Sequence, residues 1–323
     1  MLEGMPGTGK SSVSQAIYRD LLALGVPARW LHEESEHQLQ LFFDPDRHTP
    51  WRAYLAEVID RWQAFASEVS NGNEVIVVDS AVLQNHFRSL LIFDIDQEAV
   101  FETASAIEGI AADLFPRWIY LSPRDITAHF ESIIKVRGQR MLDLWIEAHD
   151  RYPFTTNAGL SGHAGFIAFW RQFDAITTKV FDDVEQSKLR VEVDANSRNA
   201  TLDSLRAFLG LSATTMALPS SELEAFAGLY TSKRDVEDKT IEIVAADGCL
   251  IALTESPTID VAGGPLGCFR QVRLLPVTQA LFVTEGWPYE VRFETTRDGD
   301  DLLRLSPTKG AWNPISETYV KCH

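Results

Sequence analysis

Cysteine is scarce in this 323-residue chain. Cys249, Cys268 and Cys322 are the whole supply; they form no CxxC pair and their number is odd. A disulfide framework is therefore not expected, and reduced thiols in a cytoplasmic protein are. Long apolar runs are missing as well. No stretch approaches the roughly 18 residues that a membrane span needs, and no secretory leader is recognisable. Positive charge is in deficit: 29 Lys and Arg stand against 46 Asp and Glu, for a net charge of -17. So acidic a surface repels nucleic-acid backbones and anionic membranes. Neither is expected as a partner, while a mononucleotide held in a small local site is compatible with it. Internal repeats and low-complexity tracts are lacking too. What remains is the composition of a soluble globular protein, 45% hydrophobic and 23% charged, long enough for one large domain or two ordinary ones.

The chain has two textures. Up to about residue 212, short β-rich runs alternate with helical patterns. Ser11 to Leu24 reads as a helix with Val13, Ala16, Ile17 and Leu21 on one face, and Trp51 to Val69 as another, ended by Asn71-Gly72-Asn73. Pro27 to His32, Glu74 to Val78, Arg117 to Leu121 and Leu189 to Val193 read as strands. EVIVV at 74–78 is almost wholly apolar and has the look of a central parallel strand. A helix follows from about Asp125, and Thr201 to Leu209 closes the region. Strands separated by helices imply an α/β fold with a parallel sheet and right-handed crossovers. Residues 213–221 are small and polar and read as a linker. From residue 222 to 323 short alternating segments are punctuated by Asp247-Gly248 and Asp298-Gly299, the marks of hairpins in a small antiparallel β domain.

The strongest signal is EGMPGTGKSS at residues 3–12. It fits G-x-x-x-x-G-K-[ST] at every fixed position. Glycines let successive backbone N–H groups turn inward around a phosphate, and the following helix points its positive end at the anion. Gly4, Gly7, Thr8, Gly9, Lys10, Ser11 and Ser12 are thus expected to hold a nucleotide's phosphates. Lys10 would reach the β- and γ-phosphates, and the Ser11 hydroxyl would hold Mg²⁺. Only Met1 and Leu2 precede the loop, so a shortened first strand is expected.

Carboxylates come next. HEESEH at 32–37 resembles a zinc helix, but its histidines are five apart and diverge by roughly 140° on a helix, so they do not share a metal. Position favours another use: in a parallel sheet, ligands sit beyond the carboxyl ends of the strands. Glu33, Glu34 and Asp79 fall there. Glu33 or Glu34 would orient or deprotonate an acceptor hydroxyl, the alternative being a solvated acidic loop. Asp79 closes an apolar strand, which is costly unless the group is used, and would order Mg²⁺ through water. A basic cluster, KVRGQR at 135–140, offers Arg137 and Arg140 as cations over a migrating phosphoryl group; a helix C-terminus capped by Gly138 is the competing reading. Arg88 is a candidate for an anionic group of the substrate. Arg47 and Trp51, within DPDRHTPWR at 44–52, have the content of an acceptor pocket.

The order of these features resembles the nucleotide-kinase-like P-loop phosphotransferases, including thymidylate, deoxynucleoside and small antibiotic or metabolite kinases, over roughly residues 1–210. EGMPGTGKSS looks like their phosphate loop, VIVVDS like their third strand, and RWIYLSPRDITAHFESIIKVRGQR like their strand, Pro-containing turn, helix and arginine lid. LRVEVDANSRNATLDSL looks like the last strand and the loop bordering adenine, with Asp194 and Asn196 in it. The resemblance implies a sheet in the order 2-3-1-4-5 with helices on both faces, Mg·ATP as cofactor, and a small-molecule acceptor. Two departures stand out. Ser80, not arginine, follows Asp79, and HEESEH lacks the Glu-Pro pattern of deoxynucleoside kinases. The alternative is a nucleotide-dependent switch signalling through the β domain, although GTPase N-K-x-D and DEAD-type motor motifs are absent. The C-terminal segment is similar to the small β-barrel module appended to some serine-hydrolase-like proteins. It would cover the acceptor site, bind its own ligand in an apolar cavity, or support a homodimer.

Overall fold

The computed structural model describes residues 1–33, 37–194, 198–212, 218–232, 239–246, 248–254, 271–287, 289–307 and 316–322. They form two compact units that divide between Ala213 and Thr214.

The first unit alternates strands and helices: β1 (Leu2–Gly4), α1 (Lys10–Ala23), β2 (Ala28–Leu31), α2 (Arg52–Ser70) and β3 (Val75–Val78) come first. A single π-helical turn at Leu83–Phe87 runs into α3 (Arg88–Ile92), followed by α4 (Gln97–Ala111), β4 (Trp118–Pro123), α5 (Ile126–Arg137) and α6 (Gln139–His149). α7 (Pro153–Asn157), α8 (Gly162–Asp183), β5 (Lys188–Val193) and α9 (Arg198–Leu209) complete it. All strand pairing is parallel. β1, β4 and β5 form one sheet in the order β1-β4-β5, and β2 pairs with β3 apart from it. The two meet at one parallel bridge, Leu2 to Asp79. There the Ser80 amide donates to Leu2 O at 2.9 Å, while the Asp79 amide donates to Leu31 O at 2.9 Å. The expected single sheet is thus realised as three strands and two. With β1 only three residues long, its overlap with the end of β3 comes to one register position.

Alternation along β4 sorts the layers. Ile119 and Leu121 face a core with Val13, Ile17 and Leu21 of α1 and Leu205 of α9. Trp118 and Tyr120 face a larger core built from α2, α4 and α8. Every residue of β4 is buried, as a central strand covered on both faces requires. Among the described residues no helix is long and apolar enough to cross a membrane.

The second unit opens with α10 (Ser220–Phe226), whose first two residues fall at the end of the stretch expected to be a linker and whose remainder begins the segment expected to be purely β. Its apolar residues explain this: Leu223 is buried, and Leu218 just before it packs into the same core. The strands β6 (Gly228–Ser232), β7 (Lys239–Ala246), β8 (Cys249–Thr254), β9 (Gln271–Pro276), β10 (Leu281–Thr284), β11 (Tyr289–Thr295), β12 (Asp301–Pro307) and β13 (Glu317–Lys321) follow. Each pairs antiparallel with the next, and β13 returns to β6, closing an eight-stranded barrel. Gly248 between β7 and β8 and Gly299 between β11 and β12 take φ of 71° and 93°, as the hairpin reading expects of glycine there; Asp247 lies outside the described residues. Among the described residues a cluster of buried apolar side chains forms the barrel core. Phe226 of α10 stacks 4.5 Å from Phe293 and 5.6 Å from Phe282, and Tyr230 sits 5.9 Å from Phe293.

Candidate functional site

The loop between β1 and α1 depends on three glycines at positive φ: Gly4 at 148°, Gly7 at 81° and Gly9 at 85°. A Cβ on Gly4 would overlap Leu121 O of β4, and one on Gly7 would overlap the Ile133 side chain of α5. A Cβ on Gly9 would meet nothing within 4 Å, so the loop is open on that side. Gly9 caps α1 with no side-chain hydrogen bond, and no acid sits in the first helical turn. Those amides and the helix dipole are therefore left to an anion. Thr8 is buried and its hydroxyl donates to Met5 O at 2.8 Å. Lys10 is 4% exposed, and its Nζ donates to the same carbonyl at 2.8 Å. Ser11 and Ser12 follow, half-buried, in the first turn of α1.

Behind the loop lie two carboxylates. Asp79, just after β3, is fully buried; Ser80 Oγ donates to it at 2.8 Å, Ser14 Oγ at 3.4 Å, and His32 Nε2 is 4.0 Å away. Burial and the nearby Glu33 charge raise its pKa, against the opposing pull of His32, Lys10 and the Ser11 hydroxyl. Ser80 holds φ of 64°, unusual for a side-chain-bearing residue. The second carboxylate, Glu3 of β1, is one that the sequence reading passed over. It is fully buried, and it accepts amides from the π-helical turn: Val82 at 2.8 Å, Leu83 at 2.9 Å and Gln84 at 3.4 Å. Desolvation lifts its pKa to about 7, against those amides and the charge of Lys10. The sequence did hold one cue: a carboxylate inside a buried strand is costly unless its oxygens are satisfied. Its partners, some eighty residues away, could not be read there.

The remaining candidates are placed as follows. Glu33 is half-buried beyond β2; its carboxylate accepts from Gln84 Nε2, and its carbonyl from Gln40 Nε2. Arg88 opens α3, half-buried, and makes no hydrogen bond or ion pair among the described residues. Burial lowers its pKa, while Tyr152 and Glu33 work the other way. α5 lies against the loop: Ile133 abuts Gly7, and His129 Nε2 donates to Pro6 O at 2.9 Å. Arg137 ends that helix one turn beyond Ile133, Gly138 breaks the chain at φ 86°, and Arg140 is exposed in the first turn of α6. Arg47 is held by Glu57 at 2.9 Å, and Trp51 carries the Arg52 guanidinium 4.6 Å above its ring, so neither is brought to the loop by a contact seen here. Asp194 is exposed after β5; Glu34 and Asn196 lie outside the described residues.

The donor set decides what cation fits. Among the described residues no three His, Cys, Asp or Glu side chains converge as a metal cage. One hydroxyl, Ser11, and one buried carboxylate, Asp79, suit Mg²⁺, which keeps most of its waters and arrives with phosphates.

No family model matches the chain, and no curated protein matches it. Among solved structures, a lipocalin-family protein from the human pathogen Helicobacter pylori is similar at 16% identity and a TM-score of 0.21, over 30% of this chain and 82% of that one. A TM-score that low carries nothing to this chain beyond the bare likeness.

Proposed function

We propose that the first unit is an Mg·ATP-dependent phosphotransferase acting on a hydroxyl of a small molecule. One observation carries the reading. An open glycine loop at positive φ leads into an uncapped helix with a buried lysine, and the acid that closes β3 lies behind it. On this reading the three-strand and two-strand sheets, joined at the Leu2–Asp79 bridge, are one sheet in the order 2-3-1-4-5.

The loop amides and Lys10, released from Met5 O, hold the β- and γ-phosphates. Mg²⁺ would neutralise charge on those phosphates, with Ser11 as a direct ligand and Asp79 reached through water. Glu33 or Glu34 takes the acceptor's proton as its oxygen bonds to the γ-phosphorus and the bond to the β–γ bridging oxygen breaks, leaving ADP. Arg137 and Arg140 close over the transferred group, and Asp194 and Asn196 border the base. Arg88 supplies a cation for an anionic group on the acceptor; it serves better than Arg47, whose charge Glu57 already holds. The site works in the cytoplasm, and the barrel acts as a recognition or dimerisation module.

The test is ADP release from Mg·ATP with a panel of hydroxylated acids and a small-molecule extract. Release that depends on one acceptor and falls at least a thousandfold in Lys10→Ala is expected, because the lysine acts on transition-state charge. Arg88→Met should raise KM for that acceptor about tenfold or more while changing kcat less. Unchanged turnover in Lys10→Ala would refute the kinase. Slow release indifferent to every acceptor would point to a nucleotide switch.

A further inference from the structure

A cavity of about 420 Å³ opens where α4, the start of β4 and the end of α8 meet. That volume falls within the range of small-molecule pockets. It is distinct from the phosphate loop: Trp118 begins β4, and Leu121, which touches Gly4, lies three residues on, roughly 10 Å along the strand.

Its chemistry is uneven. One wall is apolar, from Val82, Leu83, Val180 and Val184. Val82 and Leu83 are fixed there by their amide bonds to Glu3 at 2.8 and 2.9 Å, so the wall is preformed. Trp118 also lines the cavity; it is 3% exposed, and its indole Nε1–H has no acceptor among the described residues. A buried donor without an acceptor is costly, and most proteins avoid one. Lys179, exposed on α8, also lines the cavity. Its Nζ sits 4.6 Å over the Phe101 ring, and among the described residues it forms no ion pair or hydrogen bond. Two acids complete the lining. Glu108 already accepts the Glu185 amide at 2.7 Å, and Asp183 is exposed at the rim.

A committed acceptor, an uncommitted indole donor and an uncommitted ammonium beside an apolar wall call for one negative charge on an apolar body. A phosphate dianion would meet Asp183 and Glu108 with twice the repulsion, and an amine, though it could reach Asp183 at the rim, would set its own donors against the Trp118 indole and the Lys179 ammonium. We propose that this cavity binds a small monocarboxylate with an aryl or alkyl body, its carboxylate between Trp118 Nε1 and Lys179 Nζ.

Calorimetric titration of the full chain tests this with three isosteres: 3-phenylpropionate, its amide, and 3-phenylpropylamine. The carboxylate should bind with a Kd in the micromolar to low-millimolar range and at least tenfold more tightly than either comparator. Lys179→Met, which keeps the stem over Phe101, should weaken it at least tenfold, and Trp118→Phe several-fold. Ala104→Phe, on the cavity wall, should abolish binding without lowering the melting temperature by more than a few degrees. Lys10→Ala, in the phosphate loop, should leave it unchanged. No saturable binding of the carboxylate to the unmodified chain, equal binding of the three isosteres, or affinity indifferent to both Lys179→Met and Trp118→Phe would overturn the assignment.

Discussion

The three loop glycines do different work, and substitution separates them. At Gly4 a side chain must adopt φ of 148° and overlap Leu121 O, a backbone atom of the neighbouring central strand that cannot swing aside. At Gly9 the φ of 85° is also unfavourable, but a Cβ meets nothing within 4 Å. Gly9→Ala therefore carries only the left-handed backbone cost, about 1 kcal/mol. Gly4→Ala adds a steric overlap and should cost about 3 kcal/mol or more. Urea unfolding followed by fluorescence checks this: equal midpoints for the two variants would refute the ordering. The glycine-rich turn between β1 and α1 was legible in the sequence because its conformation is local, set by residue types within ten positions. Glu3, Arg88 and the Trp118 cavity were harder to read. Arg88's type was visible, but its half-buried place at the start of α3, with no ion pair among the described residues, is a fact of the fold, and the satisfaction of Glu3 depends on amides of a distant turn.

Among elements, apolar periodicity located most of what packs. The expected face of α1 holds, with Val13, Ile17 and Leu21 buried and Ala16 partly so. EVIVV and RWIYL became the parallel strands β3 and β4. Short elements escaped because tertiary partners, not propensity, define them: the π-helical turn is held by Glu3, and α10 by its place in the barrel core. One pair that no periodicity reveals ties α9 to α1. Arg206 Nε donates to Asp20 Oδ2 at 2.7 Å, with side-chain exposures of 14% and 2%. Burial of both charges makes the pair expensive to break, since loss of the cation leaves a buried carboxylate short of its counter-ion. Arg206→Met should destabilise the first unit by about 3 kcal/mol. An isosteric neutral double change, Arg206→Met with Asp20→Asn, should recover part of that loss. A double change as costly as the two singles added together would mean that the two side chains act independently.

At the scale of the whole molecule, the charged state of the core sets how stability responds to pH. His86 is the clearest case. Trp62 Nε1–H donates to its Nε2 at 3.3 Å, so Nε2 is a bare acceptor and Nδ1 carries the proton toward Tyr54 Oη at 2.7 Å; Tyr54 in turn donates to Leu41 O at 3.1 Å. A second proton would set two donors against each other inside the core. Burial, with the charges of Arg61 and His37 nearby, lowers the pKa to about 3. The ordinary value is near 6.5, so the unfolded chain takes up a proton below that pH and the folded chain does not. The stability that neutral His86 contributes is thus full above about pH 6.5 and is lost as pH falls, by about 1.4 kcal/mol per pH unit. His37 and His149, lowered to about 4 by burial, act in the same direction. Glu3 opposes them: raised to about 7, it favours the folded state most below about pH 4.5 and loses that contribution as pH rises toward 7. Asp79, also raised, works with Glu3. Total stability mixes these signs, but the difference between two chains isolates one proton. His86→Gln should be less stable than the natural chain at pH 7, having lost its place between Trp62 and Tyr54. The gap should shrink by about 2 kcal/mol between pH 6.5 and 4.5, because the variant has no imidazole for the unfolded state to protonate. Six of the eight tryptophans lie in the first unit, so fluorescence-monitored urea unfolding at three pH values reads that unit's stability. A gap that stays constant across the range would mean that His86 titrates alike in both states, and the neutral hydrogen-bonded chain through Trp62, His86 and Tyr54 would be wrong.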